Sequence, residues 1–362
     1  MPLIHKKKIG LIGPLPPPSG GMANQLKQLE KLLESEGVDV LVVQVNAPYK
    51  PAFIQKIKGA RAVFRFFPYL INLWKAAGKV DIFHIFANSG LSWFLYASPA
   101  IHIAKFRRTP VIVNYRGGEA ESFFKKYFTW VRWSLKFSDL VILPSGFLRS
   151  VFKKWNYKVE VVPNIINLEK FTPANKELDS TKPVIIVPRN LEPIYDNIAA
   201  LKAFRHLINE FPDAEMIVAG SGPELKMLQN FAASEGIDRK VNFTGKVDNE
   251  KMVELYQSAD ITLNPSLADN MPNSILESLA SGVPVVTTDV GGIPYLVGNE
   301  VTSLFVKPGD YIGMSAAMKR LIKDKELRSK LISNGSELVK QFTWDNVKNI
   351  LFDNYAKVDN WQ

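Results

Sequence analysis

The 362-residue chain contains no cysteine, which excludes a disulfide scaffold, a zinc–thiolate site and a cysteine nucleophile. No segment approaches the roughly 18 uninterrupted apolar residues of a spanning helix. Residues 4–15 carry basic flanks but run into prolines without a small-residue cleavage site, so a signal peptide is not expected and cytoplasmic residence is the default. No G-x-G-x-x-G fingerprint and no P-loop occurs, so ordinary NAD or ATP binding finds no support. No Asp-x-Asp and no histidine pair or acid cluster has metal-ligand spacing, which disfavours a metal-dependent mechanism. There is no internal repeat of fixed period. Acid is scarce in one half only. Residues 1–170 hold 25 Lys+Arg against 10 Asp+Glu, whereas the remainder holds 20 against 25, so the formal net charge of +10 divides into +15 and −5. Nucleic acid, anionic lipid and a phosphorylated substrate all remain compatible with that asymmetry.

What is present is an ordinary hydrophobic fraction of 46% in a chain long enough for two domains. Short apolar runs at 8–13, 38–45, 81–86, 111–115 and 140–143 read as buried parallel strands, with a helix at 24–36 and aromatic-rich helical stretches between the later ones. From residue 183 the alternation sharpens. Strands at 184–187, 215–219, 241–244, 261–264 and 285–288 are separated by helices at 197–211, 223–235, 249–258 and 272–281. This pattern predicts α/β doubly wound sheets with ligands at the carboxyl ends of the strands. The polar, weakly periodic segment 164–182 is the linker candidate, which divides the chain into 1–165 and 166–343.

The densest constellation runs from Asp269 to Val286. Pro272 suits the first position of a helix, where no backbone N–H is needed. The N–H groups of Asn273, Ser274 and Ile275 would then leave the positive helix end facing a site suited to phosphate. Glu277, further along the same helix, can accept hydrogen bonds from paired hydroxyls such as a ribose diol. The bland reading of two isolated acids is a capped helix with surface carboxylates, and the length of the string argues against it.

This string resembles the E-x7-E signature of the family 4 glycosyltransferases, here in the form Asp-x7-Glu from Asp269 to Glu277. Further pieces of the resemblance lie at 162–167, 218–223, 241–245, 291–294 and 309–310. It implies a GT-B fold, two Rossmann-like domains facing a central cleft, in which a sugar moves from a nucleotide-diphosphate donor with retention of anomeric configuration. The catalytic positions would be Arg189, Asp269 and Glu277, with Glu277 on the donor ribose, Asp269 toward the donor sugar and Arg189 on the diphosphate. A guanidinium suits that last role because it donates bidentate charged hydrogen bonds. Asn273, Ser274 and Ile275 would meet the donor phosphates, and Gly222, Pro223, Lys246 and Val247 the nucleotide base. Gly20 and Gly21, in the Pro/Gly loop 14–21 after the first strand, would come closest to the donor phosphates and acceptor.

Two departures from the family pattern stand out. Asp269 occupies the place usually held by Glu. The family also usually has a lysine about five residues after the arginine, whereas residues 192–196 contain no base. Either another cation, Lys246 or Arg116, supplies that charge, or stabilisation of the leaving group is weakened.

Arg116 and Glu119 close the strand at 111–115 and are the acceptor-site candidates; a merely structural Arg–Glu pair is the competing reading. His84, at the end of a buried strand, could reach the cleft, but a buried-strand histidine reads more readily as a satisfied core residue. Residues 50–79 interleave seven Lys/Arg with six aromatics and no acid, and 123–136 repeat the style with Trp130 and Trp133. Docking at an anionic membrane, binding of single-stranded nucleic acid and a core helix with solvated lysines all fit, because amphipathic patterning cannot separate them. In similar enzymes the last helix, here 344–362, packs back on the first domain.

The expectation is therefore a hexosyltransferase-type enzyme without a cofactor. Its substrates would be a UDP- or GDP-linked sugar and a glycan or lipid-linked acceptor held on domain 1–165, as in cell-surface polysaccharide or glycolipid synthesis. It would be cytoplasmic and peripheral at the inner face of the membrane, with no nucleic acid as partner. A sugar-nucleotide epimerase on the same fold, and a noncatalytic membrane- or nucleic-acid-binding relative, are the alternatives.

Overall fold

The computed structural model describes residues 7–17, 20–49, 57, 60–174 and 176–359. Pro18 and Ser19 of the Pro/Gly loop and residues 50–56, 58 and 59 of the basic–aromatic stretch lie outside the described residues.

The chain divides into two compact units, one holding everything up to Asn164 together with the chain from Val347, the other Ile165–Asn346. In the first, strands β1 (Lys8–Gly13), β2 (Asp39–Gln44), β3 (Ile82–Ala87), β4 (Val111–Tyr115), β5 (Leu140–Leu143) and β6 (Glu160–Val161) form one sheet in the order β2-β1-β3-β4-β5-β6. Every pairing is parallel. The connections are helices α1 (Gly21–Ser35), α2 (Ala60–Ala77), α3 (Ser98–Phe106), α4 (Ala120–Leu135) and α5 (Gly146–Lys154). A short π-helical turn, Trp93–Ala97, leads into α3.

Strand alternation sorts the core onto two faces. Phe83, Ile85 and Ala87 of β3 join Tyr69 and Leu73 of α2, Ala100, Ile101 and Ala104 of α3, and Phe124, Val131 and Leu135 of α4. His84, between them in β3, points the other way. Each fully buried Ile or Leu there contributes about 1.5–3 kcal/mol relative to exposure.

The second unit carries β7 (Val184–Val187), β8 (Glu215–Val218), β9 (Val241–Phe243), β10 (Ile261–Asn264), β11 (Val285–Thr288) and β12 (Leu304–Val306), in the order β12-β11-β10-β7-β8-β9. All pairings are again parallel. Its helices are α6 (Asn197–Leu207), α7 (Leu225–Ser234), α8 (Asn249–Ser258), α9 (Asn273–Ala280), α10 (Ile293–Leu296), α11 (Tyr311–Lys323) and α12 (Lys325–Val339). Ile185 and Val187 face α6 and α11, whereas Ile186 between them faces α8 and α9.

The order of strands reverses between β7 and β10, whose register pairs Ile261 with Ile185. The crevice at the carboxyl ends of those two strands is the topological switch point, where open α/β sheets bind ligands. A last helix, α13 (Trp344–Asp359), follows, and from Val347 it belongs to the first unit. Among the described residues no helix is long and apolar enough to cross a membrane.

Candidate active site

Two loops meet at the switch point of the second unit. The first leaves β7 and carries Arg189, whose N–H donates to the Val187 carbonyl at 3.1 Å. It is clasped by the loop after β8, where the Leu191 N–H donates to Ser221 O and the Glu224 N–H to Leu191 O, each at 3.1 Å. Close approach there requires glycine, since a Cβ at Gly220 would lie 2.0 Å from the Arg189 carbonyl oxygen and one at Gly222 2.2 Å from that of Leu191.

The second loop leaves β10 and carries Asp269. Its backbone is held by the turn after β11, with the Gly292 N–H donating to the Asp269 carbonyl at 3.0 Å. A Cβ at Gly292 would sit 1.7 Å from the Asn270 carbonyl oxygen, which explains the paired glycines at 291–292. Buried hydroxyls brace the floor: Thr288 donates to Ser266 O at 2.6 Å, and Ser266 to the Asn264 side chain at 2.7 Å.

These loops bring Arg189, Asp269 and Ser274 together. The Arg189 guanidinium is 9% exposed; one terminal nitrogen donates to Ser274 Oγ at 3.1 Å and the other pairs with Asp269. Its face lies 4.1 Å from the centroid of the Tyr195 ring, a cation–π stack, and its Nε is buried without a hydrogen-bond partner. Asp269 also accepts from the Asn270 N–H at 2.9 Å. In this structure the Asp269 carboxylate therefore neutralises the arginine, an arrangement the sequence does not announce.

Helix α9 differs in detail from the sequence expectation. Pro272 is not its first residue but its N-cap, with extended ψ of 116°, and Asn273 begins the helix. The Ile275 N–H is taken by the Pro272 carbonyl at 3.1 Å, so it does not face the site as a free donor. Ser274, at the second position, has no helical partner for its N–H and keeps the positive helix end beside Arg189.

Glu277 stands one turn on, with the Tyr256 hydroxyl of α8 donating to it at 3.0 Å. Burial raises the Glu277 carboxyl to about 7, against the opposing pull of that hydroxyl, Lys170 and Arg189. Tyr256 is fully buried, and burial together with the neighbouring carboxylate pushes its phenol well above the ordinary value. Gly222 and Val247 line the loops after β8 and β9 part-buried, with Pro223 and Lys246 exposed beside them.

Tyr195 and Tyr256 are the residues the sequence reading missed. Tyr195 occupies the short turn Pro193–Tyr195, inside the stretch that lacks a lysine. An aromatic in that stretch, close after the arginine, was the available signal. Tyr256 sits on an ordinary amphipathic helix and carried none.

In the first unit, Gly20 caps α1 with extended backbone and open space where a side chain would be, and Gly21 begins the helix at the surface. Arg116 leaves β4 with its guanidinium on the Asn164 side-chain oxygen, 3.5 Å from that of Asn114 and 5.2 Å above the Phe86 ring. Burial lowers it to about 10. It forms no ion pair with Glu119, which is exposed at the start of α4, so the merely structural Arg–Glu pair is absent. His84 is wholly buried, with Nδ1 on the Tyr355 hydroxyl at 2.7 Å and Nε2 on the Asn114 side chain at 3.0 Å. Burial lowers it to about 3, with nearby Arg116 adding to the effect, so it is a neutral core residue that ties α13 to the sheet.

Comparison with known proteins finds relatives in sequence and in fold. The family model described as "Glycosyl transferases group 1" matches residues 169–338, and that described as "Glycosyltransferase Family 4" matches 19–170. An uncharacterized glycosyltransferase of Methanocaldococcus jannaschii is 29% identical over 40% of this chain and 39% of its own length, so that match spans well under half of the relative. A phosphatidyl-myo-inositol mannosyltransferase of Mycolicibacterium smegmatis is 24% identical over 90% of this chain and 87% of its own. Among solved structures, sucrose-phosphate synthase from Thermosynechococcus elongatus superposes with a TM-score of 0.79 at 17% identity, covering 99% of this chain and all of the other. Anabaena HepE, solved with UDP and glucose, gives 0.75 at 17% identity over 97% of this chain and 99% of the other. These likenesses show a shared GT-B fold.

Proposed function

We propose that this chain, which belongs to the group 1 and family 4 glycosyltransferases, is a retaining enzyme that moves a hexose from a nucleoside diphosphate to a hydroxyl of a glycan or lipid-linked acceptor. Use of a nucleotide sugar follows from membership. The anomeric outcome and the acceptor are our reading, and so are the residue roles.

The observation that carries it is the buried Arg189 guanidinium. It is held at the switch point between Asp269, Ser274 and Tyr195, with an unpartnered Nε, beside the positive end of α9. A diphosphate arriving there meets a pre-oriented fixed charge in a low-dielectric recess, which costs no reorganisation during reaction. Glu277 would accept both hydroxyls of the ribose, and the loops bearing Gly222, Pro223, Lys246 and Val247 would border the base. Tyr195 would fix the arginine by stacking where the family pattern has a lysine. Asp269 would release one arm of Arg189 to the phosphate and turn to the sugar. Gly20 and Gly21 would approach the phosphates, and Arg116 and Glu119 would hold the acceptor.

In the reaction the bond from the anomeric carbon to the diphosphate breaks and the acceptor oxygen bonds to that carbon on the same face. A donor phosphate oxygen takes the acceptor proton. The relative named phosphatidyl-myo-inositol mannosyltransferase supports an acceptor carried on a lipid headgroup, and with it a place in glycolipid or surface-polysaccharide synthesis. The epimerase alternative needs free acid–base groups. Of its three candidates, both nitrogens of His84 are engaged and Asp269 is paired with Arg189, which leaves the exposed Glu119.

The test incubates the purified chain with UDP-, GDP- and ADP-sugars, with and without membrane extract, after a nucleotide thermal-shift panel. One nucleotide should raise the melting temperature of the wild type and not of Glu277→Ala, and the product anomer should match the donor. No shift with any nucleotide together with an unaffected Glu277→Ala overturns the enzyme reading. An epimerised sugar-nucleotide pool selects the alternative.

A further inference from the structure

We propose that the outer face of α2, α3 and α4 is a docking surface for an anionic phospholipid bilayer. On α2, Phe64, Phe67, Ile71 and Trp74 recur at helical spacing and are between 44% and 59% exposed, while Tyr69 and Leu73 of the same helix are buried in the core. The helix therefore has an inner apolar face that the sheet covers and an outer one that no described residue of the first unit covers.

The outer stripe continues from helix to helix. The Trp74 ring lies 5.4 Å from that of Phe106 at the end of α3, which is 75% exposed. One turn back on α3, His102 lies 4.5 Å from Trp133 of α4. Trp133 and Trp130 are 52% and 64% exposed, and Tyr127 on the same helix meets Phe94 at 5.7 Å. Scattered exposed aromatics are ordinary on a protein surface, but a connected band across three helices marks an interaction site.

Charge identifies the occupant. Neither α2 nor α3 contains an acid, and the one acid of α4, Glu121, is paired with Lys154 at 2.9 Å. From residue 40 to 138 the sequence has 15 Lys+Arg and 3 Asp+Glu. Exposed Lys75, Lys105 and Arg108 rim the Trp74–Phe106 pair, and the Arg107 guanidinium lies 5.0 Å over Trp74. Lys126 and Arg132 flank the tryptophans of α4.

A second copy of the chain would press one positive rim against another. Single-stranded nucleic acid matches the charge, but it is gripped by flat stacking platforms along a groove, whereas this band mixes aliphatic Ile71 and Leu95 with rings on helix surfaces. An anionic bilayer fits both components, with tryptophan and phenylalanine entering at headgroup depth and the ammonium and guanidinium groups reaching lipid phosphates. The inference stands apart from the donor site, which lies in the other unit.

The full chain is floated with phosphatidylcholine vesicles and with vesicles that also contain phosphatidylglycerol. Capture by the anionic vesicles alone, weakened by added salt, is expected. Phe106→Ser with Trp130→Ser should abolish capture, and Lys126→Glu should lower it by about fivefold or more. All three positions are exposed, so melting temperature and nucleotide-induced thermal shift should match wild type, which separates lost docking from lost fold or lost donor binding. Equal recovery with neutral and anionic vesicles overturns the proposal, as does undiminished capture of both variants. So do a dimer abolished by Trp130→Ser and tighter binding to a single-stranded oligonucleotide than to anionic vesicles.

Discussion

Replacing Glu277 with glutamine should stabilise the protein at neutral and alkaline pH and leave it unchanged in acid. Burial lifts this carboxyl from an ordinary 4.5 to about 7. Between those values the native protein keeps a proton that the unfolded chain has lost. The stability associated with the group is thus complete below pH 4.5 and disappears as pH rises through 7. The span is worth at most about 3 kcal/mol, and solvent reaching the partly buried carboxylate reduces it to about 1–3 kcal/mol. Glutamine keeps the shape and an acceptor for the Tyr256 hydroxyl but cannot ionise.

Urea unfolding of both proteins at a series of pH values, extrapolated with a common slope, gives the difference directly. It should be near zero below pH 4.5, grow in favour of glutamine from 4.5 to 7, and level off above. A difference flat across pH, or a glutamine variant less stable at pH 8, refutes the raised carboxyl. The functional counterpart has the opposite sign. On the proposed role a ribose diol would donate to the carboxylate, so nucleotide affinity of the wild type should rise with pH through 7. Glu277→Gln should lose that dependence and about tenfold or more in affinity, the worth of a charged hydrogen bond.

Arg189→Ala leaves the Asp269 carboxylate, only 14% exposed, without its cation, and should cost about 3 kcal/mol in denaturant unfolding. Arg189→Lys should fold but lower turnover by about a hundredfold, since an ammonium cannot reproduce the fork to Ser274 and Asp269 or the stack on Tyr195; near-wild-type turnover would remove Arg189 from the leaving-group site. His84, lowered from 6.5 to about 3, contributes stability that is present above pH 6.5 and lost as pH falls toward 3. His84→Gln should flatten acid unfolding followed by tryptophan fluorescence over that window, and coincident acid transitions would refute the buried neutral histidine.

Much of this architecture is legible in the chain because parallel strands covered on both faces leave continuous apolar runs. Leu140–Leu143 and Val184–Val187 are visible as such, and the alternation that follows predicts the doubly wound sheet. Element ends are less legible. Pro272 has the right φ for either a first helical residue or a cap, and only the backbone shows that it is the cap. The glycines at 220, 222, 291 and 292 are conspicuous in the sequence, but the carbonyls they make room for lie on loops far away in the chain.

The sequence by itself determined two α/β units, the family to which they belong, and the positions of Arg189 and Asp269 in loops after strands and of Glu277 within the following helix, because periodicity and motif spacing are local properties. Only the tertiary structure decided what those side chains meet. The pairing of Arg189 with Asp269, the ring of Tyr195 beneath the guanidinium and the contact of Tyr256 with Glu277 arise where loops distant in sequence converge at a strand-order reversal. Tertiary structure alone also showed that α2 has two apolar faces. A stripe of rings at helical spacing reads the same whether it turns inward or outward, and the direction is settled by where the sheet lies.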